Sequence, residues 1–145
     1  MIYTLIFISL VKVIQTVLTN LTAAEQSSIV LFSSVAASMG MPFHTSVAAA
    51  KGAIEGFGKA LAAEYAPKIR VNVIAPSLTD TPLADKFLNN DVKREKSAER
   101  HPLKRFGKPE DSAKMATFLL SDKSSWISGQ IFHVDGGMST LLING

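Results

Sequence analysis

Lys51 is the residue whose setting most needs a chemical explanation. It follows three alanines in a run, Thr45 to Tyr65, that is rich in Ala and Gly. A lysine in an apolar neighbourhood costs free energy unless its ammonium reaches water, a ligand or a carbonyl oxygen. Other chemistry is sparse. His44, His101 and His133 are scattered without ligand spacing and there is no cysteine, so a metal site is not expected. The lack of cysteine also excludes a thiol nucleophile and a disulfide framework. Asp135 precedes Gly136-Gly137 and reads as a turn former. A phosphate cradle needs a Gly-rich turn between a strand and a helix, where backbone amides and the helix N-terminus meet the anion. Gly52, Gly56 and Gly58 fall inside a predicted helix, which is the wrong context for it.

The elements that must position these residues follow from patterning. Met1 to Leu21 is a nearly continuous apolar helix, interrupted only by polar residues such as Lys12 and Gln15. We read it as a buried helix, too short to span a bilayer before Lys12, and we expect a cytoplasmic chain with no membrane partner. Ile29 to Ser34 begins as a short apolar run, the pattern of a strand buried on both faces. The Thr45–Tyr65 run is helical, with Ala48, Gly52 and Gly56 spaced four apart on one face where another helix could approach closely. Ile69 to Ala75 is a second strand, and Ala75 to Pro82 a loop. Leu83 to Glu99 is polar and reads as two short helices. Pro109 opens a further helix to about Leu120, and Gly129 to Asp135 is a third strand. Strands alternating with helices predict an α/β fold, a parallel sheet with helices on its faces.

Composition bounds the function. The chain has 145 residues, 47% hydrophobic and 19% charged, with a net charge of +3. That suits one globular domain and excludes a disordered chain. The charge is dense between Asp91 and Asp111, but its signs are mixed, so it reads as a solvated face and nucleic acid is not an expected partner.

Three segments together carry a resemblance. The first is Ile29-Val30-Leu31-Phe32-Ser33-Ser34-Val35-Ala36-Ala37, followed by Ala48-Ala49-Ala50-Lys51-Gly52-Ala53. The second is Arg70-Val71-Asn72-Val73-Ile74-Ala75-Pro76. The third is Pro102-Leu103-Lys104-Arg105-Phe106-Gly107-Lys108-Pro109-Glu110-Asp111, with Gly129-Gln130 and Val134-Asp135-Gly136-Gly137 after it. In this order and spacing the chain resembles the C-terminal part of a short-chain dehydrogenase/reductase, from about Ser27 to Met138.

The resemblance implies a partial doubly wound, Rossmann-like sheet of about three parallel strands, with the N-terminal half of the fold missing, in one truncated domain over 1–145. It implies hydride transfer between NAD or NADP and a small carbonyl or alcohol. In that family a Tyr is the general acid or base, a Lys four residues later lowers its pKa and binds the nicotinamide ribose, and a Ser polarises the substrate oxygen. Lys51 matches the Lys, and the family's spacing places the Ser at Ser34. The Tyr position is Val47, which has no proton to give. Tyr3 and Tyr65 lie elsewhere, and His44, Thr45 and Ser46 do not share Val47's spacing to Lys51. Pro76, Thr79 and Thr81 match the nicotinamide side, with Ser77 where the family has Gly. The Gly-rich phosphate turn is not present. The expected activity of this chain alone is therefore weak or nil, the alternative being a non-catalytic pseudoenzyme or interaction module. In relatives the helices corresponding to 1–21 and 45–65 form a dimer interface, so a homo-oligomer is expected through them.

Overall fold

The computed structural model describes residues 1–143; residues 144–145 of the expected domain lie outside the described residues. A π-helical turn, Thr4–Ile8, runs into α1, Ser9–Ala23. Then come β1 (Ser27–Phe32), α2 (Thr45–Tyr65), β2 (Ile69–Pro76), α3 (Asp85–Leu88), α4 (Asp91–Glu99), α5 (Pro109–Leu120) and β3 (Ile131–Val134). The sheet has three strands in the order β1-β2-β3, parallel throughout. The α/β fold with a parallel sheet is as the patterning predicts. The strand ends differ: β1 stops at Phe32, because Val35–Ala37 turns into a 3-10 helix that Ser34 caps by accepting from the Ala36 amide.

The core lies where α1 and α2 meet one face of the sheet. Ile29 and Leu31 from β1, and Ile69, Val71 and Val73 from β2, are buried against Ile14, Ile54 and Leu61. Each such side chain contributes about 1.5–3 kcal/mol when fully buried. In α2 the buried Ala50, Ile54, Gly58 and Leu61 or Ala62 recur at helical spacing. Gly58 is small for a stated reason. A Cβ there would come within 2.8 Å of Val73 Cγ2 and 3.3 Å of Leu31 Cδ1, so the glycine sets how closely α2 approaches the sheet.

The N-terminal helix corrects the expectation of a buried segment. Phe7, Leu10, Leu18 and Leu21 flank buried Ile14 and pack on the core, and Phe7 meets Phe57 edge-on at 5.9 Å between ring centroids. A second apolar stripe is left uncovered: Leu5, Val13 and Val17 are exposed. Two apolar stripes on one helix need two partners, and this sheet covers one. The helix runs through Lys12 and Gln15 as expected, but the expectation that its apolar stretch is too short to span a bilayer is corrected: Thr4–Ala23 forms a 20-residue span of mean hydropathy 1.7, long and apolar enough to cross a membrane by length and composition.

Overpacking at Gly58 is a direct test of the helix–sheet spacing. Gly58→Ala is expected to destabilise the fold by about 1–3 kcal/mol, outweighing the gain of about 1 kcal/mol in helix propensity. Urea denaturation reads this as a lower midpoint.

Candidate functional site

The sequence-derived site residues gather at the carboxyl ends of β1 and β2, the edge at which open α/β sheets bind ligands. The Ser33 amide donates to the Ile74 carbonyl at 2.7 Å, so Ser33-Ser34 runs beside the end of β2 at Pro76. Lys51, on the second turn of α2, reaches over to this edge. Its Nζ donates to the Phe32 carbonyl at 2.9 Å, one of the three outlets that the sequence left open. Burial holds the Lys51 ammonium below the usual lysine pKa.

The two serines divide their roles. Ser33 is buried, and its Oγ lies 2.7 Å from the Glu55 carboxylate and 3.2 Å from the Lys51 carbonyl, so it ties β1 to α2. Ser34 is half-buried, and its Oγ accepts from the Ala36 amide at 3.2 Å. Among the described residues its hydroxyl proton has no acceptor, which leaves Ser34 able to donate to a carbonyl oxygen. Val47 occupies the first turn of α2, one turn before Lys51. The Nδ1 of nearby His44 donates to the Pro42 carbonyl at 2.7 Å, within its own loop.

Beyond β2 the chain turns through Thr79 and Thr81. Both hydroxyls point back at backbone: Thr79 Oγ1 donates to the Ser77 carbonyl at 3.1 Å and Thr81 Oγ1 to the Thr79 carbonyl at 3.4 Å. Gly107 braces this loop. Its amide donates to the Leu78 carbonyl and its carbonyl accepts from the Asp80 amide, each at 2.9 Å. A Cβ at Gly107 would approach Thr79 Oγ1 to 3.0 Å, so glycine permits the contact. Arg105 and Asp111 anchor the segment that carries Gly107, through hydrogen bonds of 2.6 and 3.0 Å, and Asp111 also accepts from the Lys108 amide at the start of α5.

Several residues of the quoted motifs hold the chain to the sheet. Arg70 donates to the Leu119 and Ser121 carbonyls and to Ser124 Oγ. Asn72, fully buried, donates to the Ile127 carbonyl at 2.9 Å and accepts from the Gln130 amide at 3.1 Å. Together they seat the 119–130 segment beside β2. Asp135 is the expected turn former: it accepts from the Gly137 and Ser139 amides and the Ser139 hydroxyl. Burial pushes its carboxyl up, and these bonds outweigh that and hold it below its ordinary value.

These features coincide with matches to known proteins. A family model described as enoyl-(acyl carrier protein) reductase matches residues 3–139. The chain belongs to the short-chain dehydrogenase/reductase family. Over 132 residues it is 45% identical to a 3-oxoacyl-(acyl-carrier-protein) reductase of Chlamydia trachomatis, covering 90% of this chain and 52% of that protein. It is 40% identical over 129 residues to an inactive 2-(S)-hydroxypropyl-CoM dehydrogenase of Xanthobacter autotrophicus, covering 86% of this chain and 56% of that one. Among solved structures it resembles a gluconate 5-dehydrogenase from Burkholderia cenocepacia in complex with NADP and tartrate, with a TM-score of 0.83 and 28% identity, covering 90% of this chain and 51% of that one. The chain spans about half the length of the curated relatives it matches.

The short-chain dehydrogenase/reductase site implies a nicotinamide dinucleotide, and the residues here do not fit the whole of it. Lys51 and the Thr79–Thr81 loop lie together at the carboxyl edge of the sheet, and they are the residues that would hold the nicotinamide half. For the pyrophosphate there is no matching donor set among the described residues. Gly52, Gly56 and Gly58 are within α2, and Gly136-Gly137 follows β3 without opening a helix.

The Arg105–Asp111 brace has a pH signature. Its hydrogen bonds from Arg105 and the Lys108 amide lower the Asp111 carboxyl from 3.8 to about 2. A depressed carboxylate contributes stability that is full above its unfolded pKa and disappears as pH falls through its folded pKa. Melting temperature should therefore fall between pH 3.8 and about 2 more steeply in the native chain than in Asp111→Asn.

Proposed function

We propose that this chain is the substrate-side part of an NAD- or NADP-dependent oxidoreductase acting on a small carbonyl or alcohol, and that this stretch alone does not turn over. The observation that carries the reading is the pairing of Ser34 and Lys51 at one sheet edge with Val47 at the acid position. Ser34 orients the substrate oxygen through its free hydroxyl proton. Lys51, Pro76, Thr79 and Thr81 make up the nicotinamide side of the site. Proton transfer to the substrate oxygen needs a donor within hydrogen-bond reach, and an isopropyl group is none.

Titration with NADH and NADPH is expected to give no binding in the micromolar range, and a small ketone with either cofactor no oxidation above background. Saturable micromolar binding, or turnover by the chain as it stands, would overturn this reading.

The open helix faces favour a second role, as an association module within one truncated domain. Added Cβ atoms at Gly52 and Gly56 would meet nothing within 4 Å, so the small-residue face of α2 is uncovered, as is the Leu5–Val13–Val17 stripe of the N-terminal helix. We assign these faces to a homo-oligomer formed through 1–21 and 45–65, in the cytoplasm, with α1 covered by protein rather than lipid. Sedimentation velocity should show a dimer or larger species, and Val13→Glu with Val17→Glu should shift it to monomer. A stable monomer of the unaltered chain would refute the assignment.

A further inference from the structure

Ser77 and His101 form a second polar constellation that the reductase reading does not use. Ser77 follows β2 and stands where the family motif has Gly; His101 follows α4 and is only 2% exposed. Both ring nitrogens of His101 are engaged. Nδ1 lies 2.7 Å from the Ser97 carbonyl and Nε2 lies 2.9 Å from Ser77 Oγ. A carbonyl can only accept, so Nδ1 carries the proton of the neutral ring. Nε2 is then a bare acceptor, and the hydroxyl of Ser77 must donate to it. The result is a serine whose proton already points at a base, with the base held in tautomer and orientation by a third group. The Gly136 turn, at φ +63, runs beside the ring, where an added Cβ would lie 3.7 Å from His101 Cδ2.

This pair opens onto space. Ser77 and His101 line a cleft of about 340 Å³ with Leu103, Arg105, His133 and Asp135. That volume suits a small ligand. Asp135 is occupied by the turn it caps. Arg105 gives three N–H bonds, to Phe106 and Asp111, which leaves two of its five donors uncommitted among the described residues. A free guanidinium donor in the same cleft offers charge stabilisation for an oxyanion.

We propose that Ser77 is a nucleophile, with His101 as its general base, and that the cleft takes carboxylic esters of small acyl groups. Oγ bonds to the ester carbonyl carbon as its proton passes to Nε2, while the Ser97 carbonyl holds the Nδ1 proton. The adduct collapses by breaking the bond to the leaving alcohol, which takes the proton back from Nε2. Water repeats the sequence on the acyl-serine, releasing the acid and restoring Ser77. No dinucleotide takes part, so the proposal stands or falls apart from the reductase reading.

The test uses the full chain with an alkyl fluorophosphonate, read by peptide mass spectrometry, and with p-nitrophenyl acetate, read by p-nitrophenolate release. In the first reaction Oγ–P forms, P–F breaks, fluoride leaves and the proton goes to His101. The expected results are a single phosphonyl adduct on Ser77 and ester hydrolysis that Ser77→Ala removes. His101→Gln should slow labelling about 100-fold, the span of a lost general base. Adducts only at lysines or at no site, or a folded Ser77→Ala that hydrolyses ester at the native rate, would overturn the proposal. Should Ser77→Ala fail to fold, the site of the adduct on the unaltered chain decides by itself.

Discussion

β2 is hydrogen-bonded on both of its edges, and the rest of the molecule takes its position from that strand. Val73 pairs with Leu31 on one side and with Ile131 on the other, and Ile69, Val71, Val73 and Ile74 are all essentially inaccessible to water. Asn72 stands among them with both ends of its amide satisfied by the 127–130 segment. A buried amide left unpaired costs about 1–3 kcal/mol, so this side chain ties β3 into the sheet as well as the register does. Arg70 does the same at the other end of the strand, collecting carbonyls from the end of α5 and the turn after it.

The candidate chemistry hangs on the carboxyl end of this strand and of β1. The end of β1 sets the level of Ser34, the Phe32 carbonyl receives Lys51, and the exit of β2 starts the Thr79–Thr81 loop that Gly107 braces. One strand exit thus feeds two different polar arrangements. On the β1 side are Ser34 and Lys51. On the β3 side are Ser77 and His101, facing the Gly136 turn.

Stability and association are linked through the outer helices. α1 spends one apolar stripe on the core and leaves the other in water, and the Gly52–Gly56 face of α2 has open space above it. Exposed apolar area of this kind is favourable to cover, with about 25 cal/mol gained per Å² removed from water. A strand edge is open too: among the described residues β1 pairs only with β2. Free edges and apolar stripes are both surfaces on which chains associate.

Much of this was legible in the linear chain because the signals are local. Alternating apolar runs and helical spacing announce three strands and the helices between them, Pro109 marks the start of α5, and the family motifs align Ser34, Val47 and Lys51 without any coordinates. Strand ends were less legible, since Ser33-Ser34 follows directly on an apolar run and β1 stops before the two serines, ahead of the 3-10 turn over Val35–Ala37. The N-terminal helix was misjudged because burial depends on what lies opposite a helix, and composition does not reveal that. Residue type by itself therefore determined the fold class and the family. Tertiary structure alone decided which of two adjacent serines keeps a free proton, that Arg70 and Asn72 are struts, and that Ser77 meets His101 across 24 residues. Such pairings arise from loops folding back on the sheet, and contacts over that distance leave no periodic trace in the sequence.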